Sequence, residues 1–228
     1  MIRGTSTERG PRRQPWLFHL CRPLLFLAAH YHRLEASGIE RVPTHGAALL
    51  LVKHRASRDS LLLSWLLYHH AGRMGYYLVK RKSPLYNRLM GALGGIAIIR
   101  PKDLLRIEDR AQRRAALQRA RRLNQQAMDY VAELYTRGEL IVIFPEGMFY
   151  PTRLGPLHLG ALRQIRDLAP RCEIPIVPVG IEYEALRRPR SRATVRFGAP
   201  LSIGNYPELS GLADVLTDQL RGLSGLNS

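Results

Sequence analysis

A histidine and an aspartate stand close together in the sequence, in a setting that suits acid–base chemistry. His54 follows an apolar run at residues 47–52, and Asp59 precedes a leucine-rich stretch. An aspartate at a helix start accepts backbone N–H groups and favours the positive end of the helix dipole. Across a loop that joins a strand to a helix, its carboxylate can also hold one ring nitrogen of His54 and leave the other as a base. The simpler alternative is that Asp59 only caps the helix.

A glutamate follows the clearest strand pattern of the chain. Residues 140–144 are all apolar, and Pro145, Glu146 and Gly147 come next. Proline and glycine favour a turn, so we expect Glu146 at the carboxyl end of a strand, where ligand sites form in open α/β sheets. Gly147 allows a ligand or a neighbouring backbone to come close. An ordinary surface glutamate is the alternative.

Two cations end other predicted strands. Lys80 follows the strand pattern at residues 76–79, and Arg100 follows the one at residues 96–99. An arginine offers a planar fork for a phosphate or a carboxylate, and a lysine adds a point charge. Both residues are therefore candidates to hold an anionic group of a substrate. The alternative for each is a solvated surface cation.

These candidate residues are separated by a regular alternation of strand and helix patterns from residue 47 onward. The alternation predicts an α/β fold with a mixed, largely parallel central sheet flanked by helices. Residues 174–181 contain two prolines, which predicts an edge or irregular strand. Helical spacing from Ile107 predicts a long amphipathic helix with an arginine-rich outer face, ended by Gly138. The last predicted strand covers 194–197, and further predicted helices cover 60–68, 157–168 and 209–223.

The N-terminal segment differs from the rest of the chain. Residues 1–14 are polar and basic, which predicts a disordered tail. Residues 15–34 carry an apolar stretch that Arg22 and Pro23 interrupt and that is too short to span a bilayer. With Trp16 and Phe26, this stretch predicts a helical segment at a membrane interface, and a first helix packed into the core is the alternative. Residues 35–228 are expected to form the main domain.

The composition excludes several classes of protein. Among 228 residues, 35 Lys and Arg outnumber 18 Asp and Glu, giving a formal net charge of +17. This charge predicts attraction to nucleic acid, an anionic membrane surface or an acidic carrier protein. The sequence shows no specific nucleic-acid-binding signature and no run long enough for a polytopic membrane protein. Cys21 and Cys172 are too few for a disulfide scaffold and lack metal-ligand spacing, so we predict no metal site.

Four blocks in order resemble the glycerolipid acyltransferase family, which includes the 1-acylglycerol-3-phosphate acyltransferases. The block from His54 to Asp59 resembles the H-x4-D motif of that family, and residues 144–147 resemble its third block. Residues 94–100 are similar to its second block, and residues 176–181, which include Pro178, to its fourth. The resemblance covers about residues 34–223.

The resemblance implies transfer of a fatty acyl group from acyl-CoA or acyl-carrier protein to the free hydroxyl of a lysophospholipid. The leading acceptor is 1-acylglycerol-3-phosphate, which would give phosphatidic acid. It further implies that His54 is the general base and Asp59 orients it, and that the substrate contacts are Glu146, Gly147, Lys80, Arg100 and Pro178. No cofactor besides the acyl donor and no nucleic acid partner are expected. The implied location is the cytoplasmic side of a membrane, as a peripheral or monotopic protein.

The chain departs from the family pattern in two places. Lys53 stands where the family usually has asparagine, and Met148, Phe149 and Tyr150 stand where it usually has Thr-Arg-Ser. The family arginine is thought to help hold the acceptor phosphate, and Arg153 is the candidate to replace it. The acceptor is therefore open between 1-acylglycerol-3-phosphate and another lysolipid, an aminolipid or glycerol-3-phosphate. A non-catalytic basic module that binds membranes is the alternative from a different class.

Overall fold

The described strands of the protein form one mixed sheet. The computed structural model describes residues 13–160, 162–163, 166 and 174–226. Its strands are β1 (Arg33–Ser37), β2 (Ala48–Val52), β3 (Gly75–Lys80), β4 (Gly95–Ile98), β5 (Leu140–Ile143), β6 (Pro175–Tyr183), β7 (Arg192–Phe197) and β8 (Leu201–Ser202). Their order is β1-β7-β6-β2-β5-β3-β4, with β8 paired to β6. The pairs β2–β5, β2–β6, β3–β4, β3–β5 and β1–β7 are parallel, and β7 and β8 run antiparallel to β6. The predicted mixed, largely parallel sheet is confirmed.

Helices cover both faces of this sheet. They are α1 (Pro15–Tyr31), α2 (Asp59–His70), α3 (Pro84–Ala92), α4 (Pro101–Leu104), α5 (Arg110–Thr136) and α6 (Leu209–Leu223). Side chains of a strand alternate between faces. Accordingly, Leu50 and Val52 of β2 join an apolar cluster with α2, and Ala29 of α1 belongs to the same cluster. Leu49 and Leu51 join a second cluster with α5 and α6.

The sheet brings the carboxyl ends of five parallel strands, β2 to β6, to one edge. All of β2 is buried, as expected for an apolar central strand covered on both faces. Because β2, β3, β4 and β5 run in the same direction, the residues that follow them lie at the same edge. Those residues include His54 after β2, Arg100 after β4 and Glu146 after β5, and Lys80 is the last residue of β3.

Residues 174–181 were predicted to form an edge or irregular strand; the edge alternative is wrong, whereas the pairing of the strand is irregular at Pro178. β6 lies inside the sheet, between β2 and β7. Pro178 is accepted there because its backbone faces away from β2. On that side, the pairing of β6 with β7 reaches Val179 and the pairing with β8 reaches Ile176, which leaves a break at Pro178. At this break the N–H of Gly198 donates to the carbonyl oxygen of Pro178 at 2.8 Å. The missing N–H of the proline therefore interrupts no regular ladder.

The first helix packs with one face and exposes the other. Phe18, Leu25 and Ala29 are buried, and the ring of Phe18 lies 5.1 Å from that of Tyr68 in α2. The outer face carries the exposed apolar side chains Trp16, Leu20, Leu24 and Leu27. The helix ends at Tyr31, before residue 34, because residues 33–37 pair with β7 as β1. Among the described helices, none has the length and hydropathy of a membrane span.

The long helix begins three residues later than its apolar spacing predicts. The side chain of Asp109 accepts the N–H of Gln112 at 2.6 Å, so the helix starts after this cap rather than at Ile107. Gly138, with φ of 73°, follows its end. Three predictions lie wholly or partly outside the described residues: the tail at 1–14, the helix at 157–168 and the state of Cys172.

Candidate active site

His54 and Asp59 meet at the carboxyl end of β2. Asp59 is the first residue of α2, and its N–H donates to the carbonyl oxygen of Ala56 at 3.1 Å. The N–H groups of Arg55 and Ala56 donate to Asp59 Oδ2 at 2.7 and 2.8 Å, which folds the loop back on itself. This places His54 Nδ1 2.9 Å from the same oxygen. The structure therefore brings together the two residues that the sequence singled out.

The second oxygen of Asp59 is also occupied. The hydroxyl of Tyr183, at the end of β6, donates to Asp59 Oδ1 at 2.6 Å. Burial, followed by the adjacent carboxylate, raises the pKa of Tyr183, so its hydroxyl stays protonated and acts as a donor. Asp59 has no exposed surface, whereas 14% of the His54 side chain is exposed. A carboxylate only accepts, so Nδ1 of His54 carries a proton and Nε2 is free to accept one.

Two aromatic rings hold the imidazole of His54. The ring of Phe144 stacks on it, with centroids 4.0 Å apart and an angle of 25°. The ring of Phe149 meets it at an angle of 66° and a centroid distance of 4.3 Å. Both phenylalanines belong to the segment that follows β5, and Phe149 remains exposed at the surface. The histidine therefore has an apolar wall on the side where the family pattern has an arginine.

Glu146 lies behind the histidine and not at the surface. Its carboxylate and the ammonium of Lys53 are 2.9 Å apart, and neither side chain has exposed surface. Burial raises the pKa of Glu146 and lowers that of Lys53, and the contact between them opposes both shifts. The predicted contact of Glu146 with a substrate stays a prediction, and in this structure its partners are groups of the protein.

Lys80 and Arg100 converge on a carboxylate that the sequence analysis did not single out. Arg100 donates from Nε and Nη2 to the two oxygens of Asp103, each at 2.9 Å, and Lys80 Nζ lies 3.2 Å from Oδ1. Arg100 and then Lys80 hold the pKa of Asp103 below its usual value. Arg100 Nη1 also donates to the carbonyl oxygen of Gly147 at 2.5 Å. The two predicted phosphate ligands therefore share one anion and lie beside the loop that carries Glu146.

The other two predicted binding residues lie apart from this group. Arg153 is exposed, and its guanidinium carbon lies 5.5 Å from the centre of the Tyr150 ring. Pro178 is buried in β6 opposite Leu51, with its ring packed against Gly198. Their proposed contacts with a substrate stay predictions.

Comparison with known proteins identifies the family of the chain. Residues 33–182 match the family model described as Acyltransferase. The chain belongs to the acyltransferase family. Its fold is similar to the crystal structure of the 1-acyl-sn-glycerophosphate (LPA) acyltransferase PlsC from Thermotoga maritima, with a TM-score of 0.60 and 16% identity over 92% of this chain and 81% of that chain. At this identity the likeness concerns the fold alone. A comparison with curated protein sequences gives no significant match.

Three residues of the candidate site are not among those that the sequence predicted. Tyr183 reaches Asp59 from a strand more than a hundred residues away, and no local pattern marks it. Asp103 stands three residues after Arg100, a spacing at which opposite charges pair on a helix, and that signal was present in the sequence. Phe144 was recognised as the end of a strand and as part of the third family block, but not as a contact of His54, although an aromatic residue next to the Pro-Glu-Gly turn can stack on a nearby histidine.

Proposed function

We propose that this acyltransferase moves a fatty acyl group from a thioester, acyl-CoA or acyl-carrier protein, to the free hydroxyl of a lysophospholipid. One observation carries the proposal. Nδ1 of His54 is held by a fully buried carboxylate, and Nε2 has no hydrogen-bond partner among the described residues and lies on a partly exposed side chain. An imidazole in this state is a general base for a hydroxyl that needs activation.

In the proposed step, the imidazole of His54 takes up one proton and later releases it. His54 Nε2 takes the hydroxyl proton as the acceptor oxygen attacks the thioester carbonyl carbon, and the new C–O bond forms as the C–S bond breaks. The departing thiolate takes the proton back from the imidazolium. Asp59 stabilises the imidazolium between these events, and such general-base assistance contributes about 10²–10⁴ in rate. No electron leaves or enters the substrates, so the step calls for no cofactor besides the donor.

The N–H groups nearest to the histidine do not serve the developing oxyanion in this structure. The start of α2 is the nearest helix N-terminus, and helix N-termini carry unsatisfied N–H groups that can serve as such donors. The N–H groups of Arg55 and Ala56 are both occupied by the Asp59 carboxylate. We propose instead that the donors lie one residue further along, at Ser57 and Arg58, whose N–H groups have no partner among the described residues.

For the acceptor, we propose 1-acylglycerol-3-phosphate as the first candidate. Its phosphate has two cations within reach of the loop at residues 144–150, Lys80 and Arg100. Both are paired with Asp103, so a phosphate would exchange with that carboxylate or add to the cluster. Phosphate offers more acceptor oxygens and more charge than a carboxylate, which favours the exchange.

A second acceptor class has its own support. Phe149 places an exposed aromatic ring 4.3 Å from the ring of His54, at the position where the family pattern has an arginine. An apolar side chain there binds no phosphate. It favours either a lysolipid whose headgroup near the reacting hydroxyl is uncharged or an aminolipid.

We also propose that the protein rests on the cytoplasmic side of a membrane through the face formed by α1 and α3. Apolar residues at helical spacing are exposed on both helices: Trp16, Leu20, Leu24 and Leu27 on α1, and Leu85 and Leu89 on α3. Right-handed connections from β2 to β3 and from β3 to β4 put α2 and α3 on one face of the sheet, and α1 packs on α2. A helix with an apolar outer stripe suits an interfacial position.

For the donor, we propose an approach along the opposite face, over α5. The first half of this helix carries six arginines whose guanidinium groups form no ion pair or hydrogen bond with the residues that the structure describes: Arg110, Arg113, Arg114, Arg119, Arg121 and Arg122. The side chain of Asn124 forms hydrogen bonds with the N–H and the carbonyl oxygen of Ile99, just beyond the end of β4. The arginines precede Asn124 along α5, so they lie level with the carboxyl ends of the parallel strands or beyond them. Such a surface attracts an acidic carrier protein or the phosphates of coenzyme A.

The test is a product assay on purified protein with a panel of acceptors and both donors. The panel contains 1-acylglycerol-3-phosphate, other lysophospholipids, a lysoaminolipid and glycerol-3-phosphate, and mass spectrometry identifies the product. We expect phosphatidic acid from the wild type and none from His54→Ala, with equal binding of both proteins to anionic vesicles. Vesicle binding without any acylated product in the wild type would favour the non-catalytic module. Normal turnover by the variant would remove His54 from the mechanism.

A further inference from the structure

An ion pair is buried directly behind His54. The Lys53 ammonium lies 2.9 Å from the Glu146 carboxylate, and neither side chain is exposed. The ammonium also donates to the carbonyl oxygens of Tyr150 at 2.8 Å and His54 at 3.1 Å, so its three N–H groups are all used. The carboxylate accepts the N–H of Gly155 at 3.2 Å. Lys53 therefore keeps no donor for a substrate.

The pair joins two segments that both touch His54. Lys53 and His54 follow β2, whereas Glu146 belongs to the segment 144–150 after β5. That segment places Phe144 on one face of the imidazole and Phe149 near its edge. Its last residue, Tyr150, donates its N–H to the carbonyl oxygen of His54 at 3.0 Å. The ring and the backbone of His54 are thus both held by a segment that Lys53 ties to the end of β2.

A buried pair of this kind contributes more to geometry than to stability. Taking both charges out of water is unfavourable, and their attraction and hydrogen bonds compensate for that loss only in part. Apolar side chains of similar volume often replace such a pair without loss of stability. Because Lys53 stands where the family pattern has a short neutral amide, this chain holds the 144–150 segment by a charge-assisted contact that the usual asparagine is too short and uncharged to form.

We infer that Lys53 and Glu146 are positioning residues that press the segment 144–150 against His54 and so fix its imidazole for proton transfer. The inference rests on the proposed role of His54 as the general base. Glu146 acts through His54 and not on the acceptor. A displacement of a reacting group by about 1 Å can lower a rate about 10²-fold. The same order of loss is expected when the pair is broken.

The experiment compares Lys53→Met, Glu146→Gln and the double variant Lys53→Met with Glu146→Leu. We expect each single variant to lower kcat by about 10–100-fold, with the KM values for donor and acceptor changed by less than about threefold. The double variant leaves no unpaired buried charge. It should regain most of the melting temperature of the wild type but not its kcat, because the charge-assisted contact that ties the segment 144–150 to the end of β2 is still absent.

A spectroscopic readout separates positioning from packing. The proton on His54 Nδ1, hydrogen-bonded to Asp59, gives a low-field NMR signal that should shift or broaden in every variant of the pair. A matched control is Glu182→Gln, which removes the negative charge from a partly exposed contact with Arg196 at 2.7 Å between β6 and β7, and which should leave kcat and this signal unchanged.

Three outcomes would overturn the inference. One is wild-type kcat in either folded single variant, and another is recovery of kcat together with the melting temperature in the double variant. The third is a raised acceptor KM at unchanged kcat in Glu146→Gln, which would make Glu146 a substrate contact. His54→Ala measured in parallel keeps the two hypotheses apart. If this variant stays active, His54 is not the general base and the proposed function is refuted, independently of the results for Lys53 and Glu146.

Discussion

Replacing Asp59 by asparagine tests the charge of this residue separately from its structural role. The loop needs an oxygen that accepts from His54 Nδ1 and from the N–H groups of Arg55 and Ala56, and an amide oxygen can do so. The amide NH₂ then faces the hydroxyl of Tyr183, which can rotate and accept. Asp59→Asn is therefore expected to keep the fold and the position of His54, and to remove only the negative charge.

The expected loss of rate follows from the charge that is removed. An imidazolium and a carboxylate with charge centres about 4 Å apart attract by about 4 kcal/mol at an effective dielectric constant near 20. The attraction exists only after His54 has taken the proton, so its loss raises the barrier by about that amount. This corresponds to a roughly 10³-fold decrease in kcat, with little change in either KM value.

The assay is steady-state turnover with a saturating acyl donor, accompanied by thermal unfolding. Asp218→Asn, at an exposed position far from the dyad in the sequence, is the matched control and should behave as the wild type. Asp59→Ala should unfold at a lower temperature than Asp59→Asn, because it leaves the buried donors around the carboxylate without an acceptor. If folded Asp59→Asn keeps kcat within about tenfold of the wild type, the carboxylate charge does not support the proton transfer.

Three further predictions concern the surfaces around the site. Phe149→Arg should raise kcat/KM for 1-acylglycerol-3-phosphate relative to uncharged acceptors by about 10–100-fold, since hydrogen bonds to charged groups are worth about 1.5–3 kcal/mol; an unchanged preference would place the acceptor headgroup elsewhere. Leu20→Ser with Leu24→Ser should lower partition onto anionic vesicles by at least about tenfold in sedimentation assays without lowering the melting temperature, because each exposed leucine loses its transfer energy; undiminished binding would contradict the α1 face. Arg114→Glu with Arg121→Glu should raise KM for acyl-carrier protein and weaken its salt dependence while vesicle binding stays constant; loss of vesicle binding instead would assign α5 to the membrane.

Local patterns were sufficient for most of the elements. The six apolar residues at 47–52 are typical of a strand covered on both faces, and five of them form β2, which is such a strand. The leucine pattern of α6 gives the same bounds in sequence and structure, 209–223. The strand status of residues 33–37 was missed because most of these side chains are exposed, so no alternation marks them. Their pairing with β7 depends on residues more than a hundred and fifty positions away.

In residues 174–181, the neighbouring strands decide the structure and override the local preference of proline for edge strands. Two prolines argue against an interior strand when the neighbours are unknown. Pro178 is accepted inside the sheet because the β7 and β8 ladders stop on either side of it, and only the order of the strands reveals this gap. The same holds for the first helix, whose inner and outer faces both carry apolar side chains, so that its packing on α2 could not be separated from a role at a membrane.

By itself, the sequence determined the α/β class, the positions of His54 after a strand and of Asp59 at the start of the next helix, and the cations that end neighbouring strands. These depend on residue types and on spacing along the chain, which periodicity and turn chemistry reveal directly. Only the tertiary structure decided what each charge touches. Lys53 contacts Glu146 in the interior, Lys80 and Arg100 contact Asp103, and Tyr183 donates to Asp59. These contacts depend on the order of the strands in the sheet, which the sequence does not reveal directly.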